Sequence, residues 1–282
     1  MSKNYYYLVA GLPDLILDEG KLSLSFEDFV AEIEDQIAEP DMKLLQCIRL
    51  PFDNKNLITV LEKKDREFDP RGNFSEEEMN NALRDQENFP QYMQAFVEAW
   101  KEKRILFQGL VPEDQINRLF YDSMASHGNQ FIRDWFTFDR DLRNLIAGLN
   151  NRKSLSHFDA LKTERESPLS KILVGGNDVA ETILRSNAPD FGISSVVPWA
   201  EKLFSISNLD IAEFEKGVDN LRWDMLNELT TFSYFQIETI LAFCIKLTLV
   251  ERWKSLDSKT GGEILEKFVE ELKSGFSVPA EF

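Results

Sequence analysis

Cysteine and histidine are scarce in this chain of 282 residues, with two of each. Cys47 and Cys244 lie far apart, which excludes a disulfide framework and a thiolate zinc spacing and fits a reducing cytoplasm. His127 and His157 fall in no metal-binding pattern such as H-E-x-x-H, and both are expected as loop or cap residues. Basic clusters are missing as well. Lys plus Arg number 32 against 49 Asp plus Glu, for a formal charge of −17. Nucleic-acid binding rests on phosphate neutralisation by clustered cations, so that class is excluded, and direct adsorption to anionic lipid is not expected for the same reason. No apolar run is long enough to cross a bilayer. ILAFCIKLTLV, from Ile240 to Val250, is interrupted by Lys246, and about 20 apolar residues would be needed. The opening MSKNYYYLVAGLPDL has one lysine and a very short apolar run before Pro13 and Asp14, unlike a signal peptide. The expectation is a soluble, cytoplasmic, mostly acidic protein that reaches a membrane only through a partner with basic patches.

Catalytic signatures are equally sparse. There is no G-x-S-x-G elbow for a serine nucleophile, and a cysteine nucleophile would need Cys47 or Cys244 beside a histidine. LVGGNDVAETIL, around Gly175 and Gly176, lacks the Lys-Ser/Thr ending of a P-loop and the third glycine of a dinucleotide fingerprint. It reads as a turn followed by an N-cap at Asn177 or Asp178. No cofactor is expected. Acids are plentiful, and at this density close pairs arise by chance and usually mark a solvated face.

What is present is helical period. An apolar content of 43% and a charged content of 29% describe a folded chain, long enough for one large or two ordinary domains. Tyr5 to Leu12 reads as a strand or a first helical turn. Ser25 precedes Phe26, Phe29, Val30, Ile33 and Ile37 at helical spacing, with Pro40 as the expected stop. Helices are predicted from Asp41 to Leu50, ending at Pro51, and from Asn56 to Lys64, with a loop across the middle of the charged stretch Glu62 to Glu78, which carries Asp69, Pro70 and Gly72. Ser75 with Glu78 forms a capping-box pattern that opens a helix through Arg84. Further helices begin at Pro90 and Pro112, then at Asn129 (to about Asn150), Asp178, Val197 and Ile211. Tyr234 to Ser255 is apolar almost all round, as a buried central helix would be, and a terminal helix is predicted from Glu263 to Lys273. No stretch alternates as βαβ would require, so the fold class is all-α. The polar stretch broken by Pro168 suggests an N-terminal region over 1–150, a linker over 151–176 and a C-terminal lobe over 177–282.

The segment WFTFDRDLRNLIAGLNNRK, from Trp135 to Lys153, concentrates aromatics and acids at the head of a helix. Asp139 and Asp141 invite a reading as paired carboxylates, yet acid–base work would need one of them in a pocket with a raised pKa. FSYFQIETILAFCIKLTLVERW, from Phe232 to Trp253, repeats the order of this entry: Trp135 matches Phe232, Phe138 matches Phe235, and Asp141 matches Glu238. DLRNLIAGLNNRK resembles the "D-L-x-N-L-x-x-x-L-R-x-K" helix of the C subunit of V/A-type ATPases, called d in the eukaryotic enzyme. SYFQIETILAFCIKLTLVERW resembles that family's closing "Y-x-x-x-x-E-x-x-x-L-R" helix. YYYLVAGLPDL with LSFEDFVAEI is similar to its opening "Y-x-Y-L-x-A-R" and "F-x-x-F-L" elements. More specifically, the chain resembles a bacterial family of unknown-function proteins that accompanies V-type ATPase subunits and stands in place of the C subunit.

This resemblance implies a multi-helix, funnel-like assembly of two or three similar helical lobes. It implies a non-catalytic central-stalk subunit that couples the rotating shaft to the membrane rotor ring for proton or sodium transport, with shaft and ring subunits as partners. It would lie in the cytoplasm, peripheral to the inner membrane through the complex. Under it Phe138 and Phe235 are core anchors, and Asp141, Asn144 and Glu238 orient helices by capping or interhelical hydrogen bonds. A free-standing helical adaptor and a carboxylate-based, metal-dependent helical hydrolase are the alternatives.

Overall fold

The computed structural model describes residues 4–17, 24–158 and 168–257. Eleven α-helices and no strands occur among them: α1 (Tyr6–Ala10), α2 (Phe26–Ile33), α3 (Glu39–Glu62), α4 (Glu76–Asp85), α5 (Gln91–Lys101), α6 (Pro112–Ala125), α7 (Gln130–Phe158), α8 (Asp178–Arg185), α9 (Pro198–Ile206), α10 (Ile211–Leu229) and α11 (Ile237–Asp257). The all-α class therefore stands. No helix of the described residues is long and apolar enough to cross a membrane. The expected terminal helix from Glu263 to Lys273 lies outside the described residues.

Two compact units make up the chain, one from Met1–Glu39 with Asn208–Phe282, the other from Pro40–Ser207. In the first, α11 is the core helix. Ile237, Ile240, Leu241, Ala242, Phe243, Cys244, Ile245, Leu247, Leu249 and Val250 are all buried, as an apolar surface without a polar stripe requires. Helix α2 packs on it through Phe26, Phe29, Val30 and Ile33, with the rings of Phe29 and Phe243 4.7 Å apart. Ser25 caps α2 by accepting from the Asp28 amide at 3.0 Å. The Phe26 amide, a donor with no partner inside its own helix, goes to the Glu251 carboxylate of α11 at 2.6 Å. Helix α10 belongs to the same unit and is capped by Asp210, which accepts from the Glu213 amide at 2.9 Å. It is tied to α11 by Asp219, which accepts from Arg222, Arg252 and the Trp253 indole.

In the second unit α5 packs on α6, α6 on α7 and α7 on α8, the neighbour-on-neighbour order that short connections favour. Phe120 anchors the centre, with Phe136 at 4.8 Å, Tyr121 at 5.3 Å and Tyr92 at 5.7 Å between ring centroids. Two proline readings change. Pro40 lies in the first turn of α3, where its missing N–H costs nothing, whereas α2 closes at Ile33 and runs into a 3-10 turn, Glu34–Gln36. Pro51 lies inside α3 and does not divide it. An interior proline costs about 3 kcal/mol, but Leu45, Ile48, Leu50, Leu57 and Ile58 are buried on both sides of it, each worth about 1.5–3 kcal/mol, so burial wins.

The compact units are drawn differently from a division at 150 and 177. Helix α7 continues past Asn150 to Phe158, and 159–167, the middle of the expected linker, lie outside the described residues. Beyond them α8 packs on α7, and Trp199 of α9 meets Phe138 edge-on at 4.9 Å. The 178–207 stretch therefore groups with the helices before it.

Candidate functional site

Two places could carry function: the head of α7, and the turn that leads into α11. In α7 the aromatics Trp135, Phe136 and Phe138 are buried, and Phe138 lies between Trp135 (5.6 Å) and Trp199 (4.9 Å). The polar positions between them turn to different neighbours. Asp139 accepts from the Tyr121 hydroxyl of α6 at 2.7 Å. Arg140, buried, reaches Asp122 of α6 at 3.4 Å. Asp141 accepts from the Asn177 side-chain amide, and Asn177 in turn caps α8 by accepting from the Ala180 amide at 3.1 Å. Asn144 is fully buried and closes a two-bond clamp on Val174, donating to its carbonyl at 2.9 Å and accepting from its amide at 2.8 Å. Asp139 and Asp141 thus bond to separate elements, Asp139 to α6 and Asp141 to the residue that caps α8.

The fold gives the Val174–Asn177 turn its place. Gly176 has φ +101°, in the left-handed region, and a Cβ there would come within 3.0 Å of an Asp122 carboxylate oxygen. Only glycine accepts both conditions without strain. Burial pushes the Asp141 carboxyl up to about 6, against the lowering pull of the Asn177 hydrogen bond and the Arg140 charge. An acid whose folded pKa exceeds its unfolded value favours folding in its protonated form. That contribution is complete below about pH 4 and is lost as the pH rises through about 6. Asp141→Asn has no proton to lose. Between pH 4 and pH 7 it is expected to gain roughly 1–3 kcal/mol on the wild-type chain, read from urea unfolding at each pH. Parallel pH curves for the two proteins would refute the assignment.

One juxtaposition could not be read from sequence. His127 Nε2 approaches Cys47 Sγ at 3.9 Å. The Asn129 amide donates to His127 Nδ1 at 3.1 Å, so the neutral ring carries its proton on Nε2 and turns no lone pair toward the thiol. Cys47 donates to the Lys43 carbonyl at 3.2 Å, and burial pushes its thiol up to about 11. A nucleophile needs the thiolate, and this arrangement withholds it. Asn129 also caps α7, accepting from the Ile132 amide at 3.1 Å, so His127 belongs to that cap. His157 falls in the last turn of α7.

A second polar network escapes a reading by period. Asp53, Asn54 and Asn56 are buried on α3, and Asp53 and Asn56 hold the 69–74 loop. Asn56 exchanges two bonds of 2.8 Å with the Asp69 backbone, and Asp53 accepts from the Asn73 side chain at 2.6 Å and the Phe74 amide at 3.2 Å. Asn54 accepts from the Tyr92 hydroxyl at 2.7 Å. Gly72 is required because a Cβ would stand 2.4 Å from Asp53 Oδ1. The signal was a polar run, Asp53 to Asn56, set between Leu50 and Leu57 on an otherwise apolar stripe. These bonds satisfy the loop's backbone, a structural task.

The turn into α11 contrasts with the head of α7. Helix α11 begins only at Ile237, so Phe232 and Phe235 precede it, whereas Trp135 and Phe138 lie inside α7. Phe232 is 84% exposed and Phe235 38%, and the expectation of Phe235 as a core anchor is corrected accordingly. Glu238 falls in the first turn of α11. Phe235 stacks with Tyr6 of α1 at 4.6 Å between centroids, and the Tyr5 amide donates to the Phe235 carbonyl at 2.7 Å. With Tyr6 at 53%, Tyr7 at 97% and Tyr234 at 70% exposure, five aromatic side chains face outward from α1 and the 232–235 turn. Exposed aromatics gathered on one short helix and the turn bonded to it mark an interaction surface. Among the described residues no three His, Cys, Asp or Glu side chains are grouped as a metal site would need.

A family model described as "Protein of unknown function (DUF2764)" matches residues 1–276. No curated protein and no solved structure matches the chain.

Proposed function

The chain belongs to the DUF2764 family of proteins of unknown function, and we propose for it a non-catalytic role as a coupling subunit of a V-type ATPase. In this reading its helical lobes form a funnel between the rotating shaft and the membrane rotor ring, held in the cytoplasm at the inner membrane by the complex. One observation carries the choice of an assembly part over a catalyst. The acids that would suggest chemistry, Asp139 and Asp141, bond to the protein's own walls, whereas Tyr6, Tyr7, Phe232, Tyr234 and Phe235 are turned outward. Aromatics are enriched at protein–protein interfaces and supply most of their anchors. The motif resemblance of the 135–153, 232–253 and 5–33 stretches supplies the identity of the assembly.

The test is affinity purification of the tagged chain from its native cells. Co-purification of the catalytic and rotor-ring subunits of a V-type ATPase is the expected result. Recovery of one discrete partner with no ATPase subunit would replace this reading with a helical adaptor. Metal-dependent hydrolysis that disappears in Asp139→Asn or Asp141→Asn chains of unchanged fold would replace it with an enzyme.

A further inference from the structure

We propose that the aromatic patch of Tyr6, Tyr7, Phe232, Tyr234 and Phe235 docks a basic amphipathic helix of a partner protein, one that presents Lys or Arg beside aliphatic side chains. The inference rests on the proposed function only in taking this patch as an interface; the chemistry of the occupant follows from the patch itself.

The patch is held in place. Tyr5 is buried, its amide donates to the Phe235 carbonyl at 2.7 Å, and its hydroxyl accepts from the Ala38 amide at 3.1 Å. These two bonds fasten α1 at once to the 232–235 turn and to the stretch that follows α2. Tyr6 and Tyr7 are therefore presented from an anchored turn, with little ordering left to do on binding.

The sign of the surroundings selects the occupant. The described residues 4–17 and 24–39 include seven acids, Asp14, Glu27, Asp28, Glu32, Glu34, Asp35 and Glu39, and no lysine or arginine. The Tyr5–Ala38 bond ties the 34–39 stretch to the residue that precedes α1; Glu34 and Asp35 are exposed on that stretch and Glu32 on the last turn of α2. An acidic margin attracts cations over about a Debye length. The ring faces add to this, because an aromatic quadrupole attracts ammonium and guanidinium groups. The rings also take aliphatic side chains, so the fitting segment is cationic and apolar together, as a basic amphipathic helix is. Phosphate-bearing partners and anionic lipid surfaces have the wrong sign. A second copy of this chain, formally −17, would bring like charge to the patch.

The experiment titrates the full chain into a fluorescein-labelled 18-residue Lys/Leu amphipathic peptide and follows anisotropy at 50 and 300 mM NaCl. A Glu/Leu peptide of the same pattern is the control. The Lys/Leu peptide is expected to bind and to weaken at least tenfold at the higher salt, and the Glu/Leu peptide not to bind. Tyr7→Ser with Phe232→Ser, and separately Glu32→Gln with Glu34→Gln and Asp35→Asn, are each expected to weaken binding at least tenfold. These side chains are exposed, so the melting temperature should not move; Tyr7→Ser alone serves if the double variant fails to fold. Equal binding of the Glu/Leu peptide, or no loss from either the aromatic or the acid variant, would each overturn the proposal. So would self-association of the chain that Phe232→Ser abolishes. If the peptide results fail while tagged chain still recovers ATPase subunits, this inference falls and the proposed function stands. If the peptide binds as expected and no ATPase subunit is recovered, the reverse holds.

Discussion

Asp219→Ala is expected to destabilise the α10–α11 unit by about 3–5 kcal/mol, the usual cost of removing one partner from a buried ion pair. Asp219 is fully buried. One oxygen accepts from Arg222 at 2.7 Å and the other from Arg252 at 3.0 Å and the Trp253 indole N–H at 2.8 Å. The cost comes less from the worth of the pair than from what is stranded: two guanidinium groups at the boundary of the core and an indole N–H without its acceptor. Arg252 retains Glu215, which limits the loss on that side. Asp219→Asn keeps the shape and some acceptor capacity but no charge, so it should fall between wild type and alanine. Urea unfolding gives the magnitude, and native-state hydrogen exchange should localise the loss to α10 and α11. An alanine variant within 1 kcal/mol of wild type would show that the network does not hold these helices together.

Asn144→Leu is the second large effect, about 2–6 kcal/mol. Leucine keeps the branching of asparagine but offers no donor or acceptor, and its bulkier methyl groups add crowding to the lost hydrogen bonds. Both ends of the Asn144 amide are used by a single residue, Val174, itself fully buried. Leucine leaves the Val174 N–H and C=O without partners, and each stranded buried group costs about 1–3 kcal/mol. Asn144→Asp should not rescue, because it accepts from the Val174 amide but sets a carboxylate oxygen against the carbonyl. Thermal unfolding measures the stability, and limited proteolysis at 172–177 reports whether the turn loses its seat. A leucine variant with wild-type stability and no new cleavage would remove the clamp from the account.

Helix starts were the most legible part of this fold, because the residues that signal them act over three or four positions. Ser75 with Glu78 forms the expected capping box, Asn177 caps α8, and α8 spans Asp178–Arg185 as its period suggests. Prolines misled where burial outweighed them. Pro51 removes one hydrogen bond from a helix of 24 residues that is buried on both sides of it, and no local rule weighs that exchange. The partners of polar residues were hidden for a different reason. Asn144 and Asp141 stand out on an apolar helix, but Val174 and Asn177 lie 30 and 36 positions on. Asn56 and Asp69 are likewise joined across a loop. The exposure of Phe235 was hidden by register: two residues before a helix begins, the spacing that would bury a ring no longer governs where it points.

One consequence concerns the order in which the chain is made. Because Met1–Glu39 shares its compact unit with Asn208–Phe282, the apolar face of α2 leaves the ribosome well before α11 exists to cover it. The 40–207 stretch, by contrast, has its packing neighbours at hand and can close as it emerges. During that interval Phe26, Phe29, Val30 and Ile33 form an uncovered greasy stripe on a nascent chain. Chaperone capture and translation rate should therefore govern the yield of the Met1–Glu39 unit far more than that of the intervening one.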